Sequence, residues 1–345
     1  MPELVTTLPR QGRPDHADGP LLSVEDLTVS FGSQRGRVRV VDGLSFDINP
    51  GETVAVLGES GSGKSVTAQA IMGLLPRPAG RVDGGRILYR GVDLLQQPPN
   101  YARSLGGTEI AMIFQDPLSS LNPVMRVGAQ IGEAMRRRAG VSRREARERA
   151  IELMERVGIP AARRRVDDYP HQFSGGMRQR VMIAMALALR PSLIIADEPT
   201  TALDVTVQAQ IMTLLAEVQE RDGTALLLIT HDLGVVADAA DRTVVMYSGR
   251  VAESGEIREV YDHPAHPYTV GLMGSVPGLE GERGRLNPIV GSPPDPRRIP
   301  QGCAFHPRCP MAIAKCADVR PEPRSVPGRA ESHLSACHRA EEVEA

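Results

Sequence analysis

Tryptophan is absent from this 345-residue chain, and Phe and Tyr bring the aromatic share to only 3%. A protein that grips single-stranded nucleic acid by stacking bases on rings would lack its platforms here. A surplus of positive charge is missing too: the formal net charge is −2, which argues against wholesale binding to a phosphate backbone. Long apolar runs are missing as well. The longest, Val181 to Leu189, is too short to cross a bilayer, and no secretory apolar stretch follows Met1, where Pro2 to Pro20 is polar. The expectation is a cytoplasmic chain that does not itself span a membrane, with a loose tail over residues 1–20. Cysteine is lacking from most of the length, since none of the four precedes Cys303. What is present is a globular composition, 41% hydrophobic and 24% charged, long enough for one large domain and an appendage.

The most informative stretch is Gly58-Glu59-Ser60-Gly61-Ser62-Gly63-Lys64-Ser65. An apolar strand, Thr53 to Leu57, runs into it and a helical pattern, Val66 to Leu75, runs out. Glycines let successive N–H groups turn toward an anion, and the helix start adds partial positive charge. Lys64 reaches terminal phosphates and Ser65 offers a hydroxyl to Mg²⁺. The pattern predicts a nucleoside triphosphate site.

Around this cradle, segments at Leu21–Val29, Val38–Val41 and Leu44–Ile48 predict antiparallel strands, and Ile87–Tyr89 and Ile110–Phe114 continue the sheet pattern. From about Val127 to Val157 the character turns helical and charged, which predicts an inserted helical subdomain. Then follow helix Met177–Arg190, strand Leu193–Ala196, helix Val205–Arg221, strand Ala225–Ile229, a helix near Leu233–Ala240 and strand Thr243–Tyr247. Such alternation predicts a parallel sheet covered on both faces. From about Leu279 the chain is Pro/Gly-rich, and Pro293-Pro294-Asp295-Pro296 reads as a linker into a final cysteine-bearing module.

Two further motifs carry chemistry. Leu193-Ile194-Ile195-Ala196-Asp197-Glu198 is an apolar strand ending in two carboxylates. Asp197 suits a Mg²⁺ partner, and Glu198 suits the general base that orients water in phosphoryl transfer. Phe173-Ser174-Gly175-Gly176-Met177-Arg178-Gln179 places Ser and two glycines directly before a helix, a second device for offering N–H groups to phosphate.

With these residues in order, the chain resembles the nucleotide-binding subunit of an ABC transporter over about residues 21–268, with a helical subdomain at about 116–175. The fold this implies is α/β: a P-loop NTPase of the ABC type with an antiparallel β subdomain, an inserted helical subdomain and a small Cys-rich C-terminal extension, 269–345. Gly58–Ser65 matches the family's Walker A loop, Gln115 its Q-loop, and Ser174–Gln179 its signature, with Phe173 in the usual Leu position. Asp197 and Glu198 match Walker B and its catalytic Glu, Ala202-Leu203-Asp204 the D-loop, and His231 the switch histidine. The resemblance implies a sandwich dimer. Gly58, Ser60, Gly61, Ser62, Gly63, Lys64, Ser65 and Val66 of one subunit would hold ATP against Ser174, Gly175, Gly176 and Gln179 of its partner, with Asp197 and Asp204 in the same site. Ser65 and Gln115 would hold Mg²⁺, and Gln115, Glu198 and His231 would serve hydrolysis. Phe31 stands where the family stacks a ring on adenine, or is a core Phe at a strand end.

Asp168 to Gln172, Val181 to Leu187 and His263-Pro264-Ala265-His266-Pro267-Tyr268-Thr269 resemble the ATPases of oligopeptide, dipeptide and nickel importers, as does the tail from Gly302 to His338. The resemblance implies two transmembrane permeases, an extracytoplasmic binding protein and a second, homologous ATPase as partners, no nucleic acid, and a place on the cytoplasmic face of the membrane. Peptide cargo is the leading expectation and nickel the alternative. A soluble ABC ATPase acting on DNA or ribosomes is the rival, but such proteins carry a long coiled coil or tandem heads. All four cysteines, Cys303, Cys309, Cys316 and Cys337, fall in the tail. Clustered thiols in a cytosolic chain favour a metal centre, and four thiolates suit an iron–sulfur cluster or tetrahedral zinc, with free thiols as the third reading. The subfamily resemblance implies 4Fe-4S. His306, His333 and His338 are either replacement ligands or surface histidines, and nothing in the sequence couples this group to Glu198. The basic runs Arg136–Arg138, Arg143–Arg144 and Arg163–Arg165 either touch anionic headgroups or form a solvated helix face, which the interspersed Glu residues favour.

Overall fold

The computed structural model describes residues 19–33, 36–98, 100–201, 203–275 and 289–343. All but two residues of the expected N-terminal tail, Ala202 of the D-loop and the stretch around Leu279 lie outside them. Strands β1 (Leu22–Ser33) and β2 (Gly36–Ile48) precede β3 (Thr53–Leu57), which feeds α1 (Lys64–Ile71). Then come β4 (Gly80–Tyr89), β5 (Val92–Asp93), β6 (Ile110–Ile113), α2 (Val127–Arg138), α3 (Arg143–Arg156) and α4 (Gly175–Leu187). The chain continues through β7 (Leu193–Asp197), α5 (Val205–Asp222), β8 (Ala225–Thr230), β9 (Arg242–Tyr247), β10 (Arg250–Glu256), β11 (Arg324–Ser325) and β12 (Leu334–Ser335).

Two sheets result. The smaller is antiparallel in the order β2-β1-β4-β5, and the larger runs β11-β12-β10-β9-β3-β8-β7-β6. In the larger sheet β9, β3, β8, β7 and β6 are mutually parallel, as the strand-helix alternation predicts. The central strands β3, β7 and β8 are buried at every position, so alternate residues must feed different cores. Val54, Val56, Leu193, Ile195, Leu227 and Ile229 pack with α1 and the antiparallel sheet. Their neighbours Ala55, Leu57, Ile194, Ala196, Leu226 and Leu228 pack with Ile131, Met135, Ile151, Met154 and Ile183 of the helical region. One pleat thus ties both subdomains to the same strands.

Some expectations change in detail. The segments Val38–Val41 and Leu44–Ile48 are one strand, not two. Leu27 faces Leu44 while Val29 faces Val41, so a bulge at Asp42 and Gly43 bends β2, with Gly43 at φ +73. The helix expected near Leu233–Ala240 is regular only over Leu233–Val236, and turns follow in which the amides of Ala239 and Ala240 both donate to the Val236 carbonyl, at 3.1 and 2.9 Å. On the exposed helix faces Arg137 pairs with Glu133 at 2.9 Å and Arg163 with Glu148 at 3.1 Å, in line with the solvated-face reading. No helix among the described residues is long and apolar enough to cross a membrane.

The tail does not stand off behind its proline segment. It returns to the cassette sheet, where Glu253 and Ser254 of β10 pair with Ser335 and Leu334 of β12. His333, read from sequence as a ligand or a surface residue, is neither: it is fully buried, and its Nε2 lies 2.8 Å from Glu253 Oε1. The same oxygen accepts from the Ala265 amide at 2.6 Å, and Ser335 Oγ donates to the Ala265 carbonyl at 2.7 Å. Glu253→Ala would leave the imidazole and the amide without an acceptor in a dry seam. The expected loss is about 2 kcal/mol of folding stability, read as a lowered urea midpoint; an unchanged midpoint would refute the seam's role.

Candidate active site

The phosphate cradle forms where β3 gives way to α1. Gly58, Gly61 and Gly63 take φ of +148, +81 and +105, a backbone that L side chains rarely adopt. Space matters as much as torsion: a Cβ on Gly58 would stand 2.3 Å from the Met246 carbonyl oxygen, and one on Gly63 2.9 Å from that of Val40. Lys64 folds back into the loop it follows, donating from Nζ to the carbonyls of Gly58 at 2.6 Å and Glu59 at 2.9 Å. Burial holds its pKa below the usual lysine value, against the opposing pull of the Glu198, Asp197 and Glu59 carboxylates.

The adjacent strand ends supply the acids. Ser65 Oγ donates to Asp197 Oδ1 at 2.9 Å, and burial pushes the Asp197 carboxyl up, with the Ser65 hydrogen bond opposing it. A buried carboxylate beside a hydroxyl is a fitting donor pair for Mg²⁺, whose charge would offset that desolvation. Glu198 is held in left-handed backbone at φ +46, a strained state for a non-glycine residue and one concentrated at functional sites. Its carboxylate accepts from Gln115 Nε2 at 2.7 Å and Thr201 Oγ1 at 2.8 Å, and His231 Nδ1 lies 3.4 Å away. Gln115 follows β6 and His231 follows β8, so neighbouring strand ends aim all three at one point.

A cavity of about 690 Å³ opens over this constellation. Glu59, Ser60, Gly61, Gly63, Lys64, Ser65, Val66, Gln115, Glu198 and His231 all border it. Ser62 borders a smaller neighbouring cavity of about 260 Å³. Phe31 borders neither; it faces Val38 and Gly80 across the antiparallel sheet and packs on the adjoining core. Ser174 caps α4, accepting from the Met177 amide at 3.4 Å, and Ser174 and Gly175 are exposed, away from the cavity. Gly176 packs on α5, where a Cβ would meet Val207 at 2.7 Å. Gln179 is buried and its Nε2 has no hydrogen-bond partner, so its side chain is turned into α4's packed face. Asp204 is exposed and caps α5 through the Val207 amide at 2.9 Å.

Sequence reasoning missed the contribution of the tail. Leu272, Ser275, Ile289 and Pro293 border the large cavity, and the Tyr268 hydroxyl accepts from the Glu59 amide at 2.7 Å. Tyr268 belongs to a motif singled out by resemblance, but nothing local to it points toward the phosphate loop. The four cysteines line one small cavity of about 20 Å³, together with Phe305, His306 and His338 but not His333. Burial pushes the thiols of Cys303, Cys309 and Cys337 up from the usual cysteine value. Among the described residues, no three His, Cys, Asp or Glu side chains converge closely enough to hold a metal ion.

Residues 41–201 match the family described as ABC transporter, and residues 252–316 that described as oligopeptide/dipeptide transporter, C-terminal region. The chain is 50% identical to the dipeptide transport ATP-binding protein DppD of Bacillus subtilis, over 92% of this chain and 94% of that protein. It is 51% identical to the oligopeptide transport ATP-binding protein OppD of Salmonella typhimurium, over 92% of this chain and 93% of the relative. The chain belongs to the ATP-binding proteins of ABC transporters. A solved dimeric ATP-binding cassette, in a post-hydrolysis state bound to ADP and Pi, shares the fold. It has a TM-score of 0.62 and 28% identity, covering 69% of this chain and 99% of that one. As an ABC ATPase, the chain brings Lys64, Ser65, Gln115, Glu198 and His231 to one cavity while Ser174 and Gly175 of its signature turn are exposed. Gly58→Ala should displace the loop and weaken binding of a fluorescent ATP analogue by about ten-fold or more; wild-type affinity would show that the close approach to Met246 is dispensable.

Proposed function

We propose that this ABC ATPase is the motor subunit of a peptide importer, hydrolysing ATP between two cassettes to move a pair of transmembrane permeases. The observation that carries this reading is the union of Lys64, Ser65, Gln115, Glu198 and His231 around one cavity, while Ser174 and Gly175 lie exposed elsewhere. A site with its cradle on one surface and its second phosphate turn on another is completed by a second cassette. The cargo class follows from the similarity to dipeptide and oligopeptide transport proteins. The reading includes an extracytoplasmic binding protein, a homologous but distinct ATPase as the second cassette, and attachment to the cytoplasmic face of the membrane through the permeases. Its domain bounds are 21–268 for the cassette and 269–345 for the extension.

Each residue then has a task. The loop amides and Lys64 bind the phosphates, with the ammonium exchanging its two loop carbonyls for phosphate oxygens. Ser65 and Asp197 would hold Mg²⁺ with Gln115, and the ion would neutralise phosphate charge when bound. Glu198 takes a proton from the attacking water, and Gln115, Thr201 and His231 fix its carboxylate in place. Ser174, Gly175 and Gly176 would reach the partner's nucleotide. Closure of the dimer on ATP then does the mechanical work, because only the closed state makes both sets of contacts.

For the cysteine group our reading is the 4Fe-4S cluster that the subfamily resemblance implies, with zinc as the alternative. Its support is that all four thiols line one small cavity, although among the described residues no three such side chains converge closely enough to hold a metal ion. Such a cluster, held by the thiolates of Cys303, Cys309, Cys316 and Cys337, would cross-link the chain stretches that carry them.

Glu198→Gln keeps the shape and removes the base, so ATP turnover should fall at least about 100-fold with nucleotide binding retained; undiminished turnover would overturn the assignment. Iron and acid-labile sulfide should copurify with the full chain and be lost in Cys309→Ser; stoichiometric zinc instead would reject the cluster.

A further inference from the structure

Arg308 lies on the short turn between Cys303 and Cys309, 249 residues from Glu59, yet its guanidinium reaches into the phosphate loop. Its Nη1 and Nη2 donate to Glu59 Oε2 and Oε1 at 2.6 and 3.0 Å, a two-pronged ion pair. The remaining donors are used as well. Nε donates to the Val290 carbonyl at 3.1 Å, Nη2 to that of Gly291 at 3.3 Å, and Nη1 also to the Tyr247 hydroxyl at 3.3 Å. The arginine side chain is 6% exposed and packs against the rings of Tyr247 and Phe305, each centroid 5.9 Å from its Cζ. Glu59 is held from its backbone too: its amide donates to Tyr268, and its carbonyl accepts from Lys64 Nζ at 2.9 Å. A continuous set of bonds therefore runs from the cysteine-flanked turn through Arg308 and Glu59 to the lysine of the cradle.

We infer that Arg308 is a positioning residue for nucleotide binding, clamping Glu59 so that the state of the four-cysteine module and the conformation of the phosphate loop are energetically coupled. The geometry explains why an arginine is needed. Its planar fork meets both carboxylate oxygens while leaving Nε for the carbonyl of Val290, an arrangement a lysine cannot reproduce. The loop's glycines make it conformationally free, so an external clamp on its one acidic residue selects the open cradle from the alternatives. Coupling of this kind is reciprocal: whatever loosens the turn weakens nucleotide binding, and nucleotide steadies the turn.

This inference rests on Gly58–Ser65 being the nucleotide cradle, so the experiment separates the two. Equilibrium binding of a fluorescent ATP analogue to the full chain is measured for Glu59→Gln, Arg308→Met, their double variant, Arg308→Lys and Lys64→Ala. Each single change at Glu59 or Arg308 should weaken binding about ten-fold, with the double variant no weaker than either single. Arg308→Lys should recover part of the loss. In the wild-type chain saturating analogue should slow amide hydrogen exchange across residues 303–309, and in Glu59→Gln it should not. Wild-type affinity in both single variants, additive losses in the double, or exchange at 303–309 that ignores nucleotide would each overturn the clamp. If Arg308→Met fails to fold, Glu59→Gln and Arg308→Lys decide by the same criteria. Loss of binding in Lys64→Ala beside unaffected Glu59 and Arg308 variants would sink the inference alone. Unimpaired binding in Lys64→Ala would sink the cradle reading and the inference with it.

Discussion

The Lys64 ammonium, almost removed from water and bonded to two carbonyls of its own loop, is the interaction on which the rest of the site depends. Carbonyls are weak substitutes for a full negative charge, so the buried cation is left with unmet demand. Asp197, Glu198 and Glu59 answer part of it from a distance. The arrangement favours an arriving anion. Keeping the loop in that shape takes the glycines at 58 and 63, which pass close to the carbonyls of Met246 and Val40 where no side chain would fit.

The sheet delivers the remaining chemistry by geometry alone. β3, β6, β7 and β8 run parallel, so their C-terminal ends lie along one edge, and residues at or just beyond each end are presented there. Gln115, Asp197, Glu198 and His231 come from three of those ends and Lys64 from the fourth. Because the strands are buried on both faces, they are anchored in two separate cores that hold the strand ends carrying the acids. This rigidity suits a site in which Glu198 is kept in strained backbone.

The C-terminal extension is a structural part of the cassette. Its β12 extends the sheet beyond β10, its His333 seals the seam against Glu253, and its Arg308 joins Tyr268 of the cassette in touching the phosphate loop. Around the loop, Tyr247, Tyr268 and Phe305 pack edge to face with centroids 4.6 to 5.3 Å apart, which gives the contact an apolar floor.

Local sequence determined a great deal. The helix expected at Val205–Arg221 is found at Val205–Asp222, the strand at Leu193–Ala196 gains one residue, and the cradle stands where strand, glycines and helix pattern demand. These features were legible because their causes lie within a few residues: pleat period, capping side chains and glycine torsions. The bulge in β2 was less legible, since it is defined by pairing with β1. What only the tertiary structure decided is long-range: Gln179 turned inward, Phe31 kept out of the cavity, His333 buried against Glu253, and Arg308 set on Glu59. An arginine between two cysteines carries no mark of its partner. The partner is chosen by how the tail folds back onto the cassette sheet, and the ion pair exists only once that docking has buried Arg308 beside Glu59.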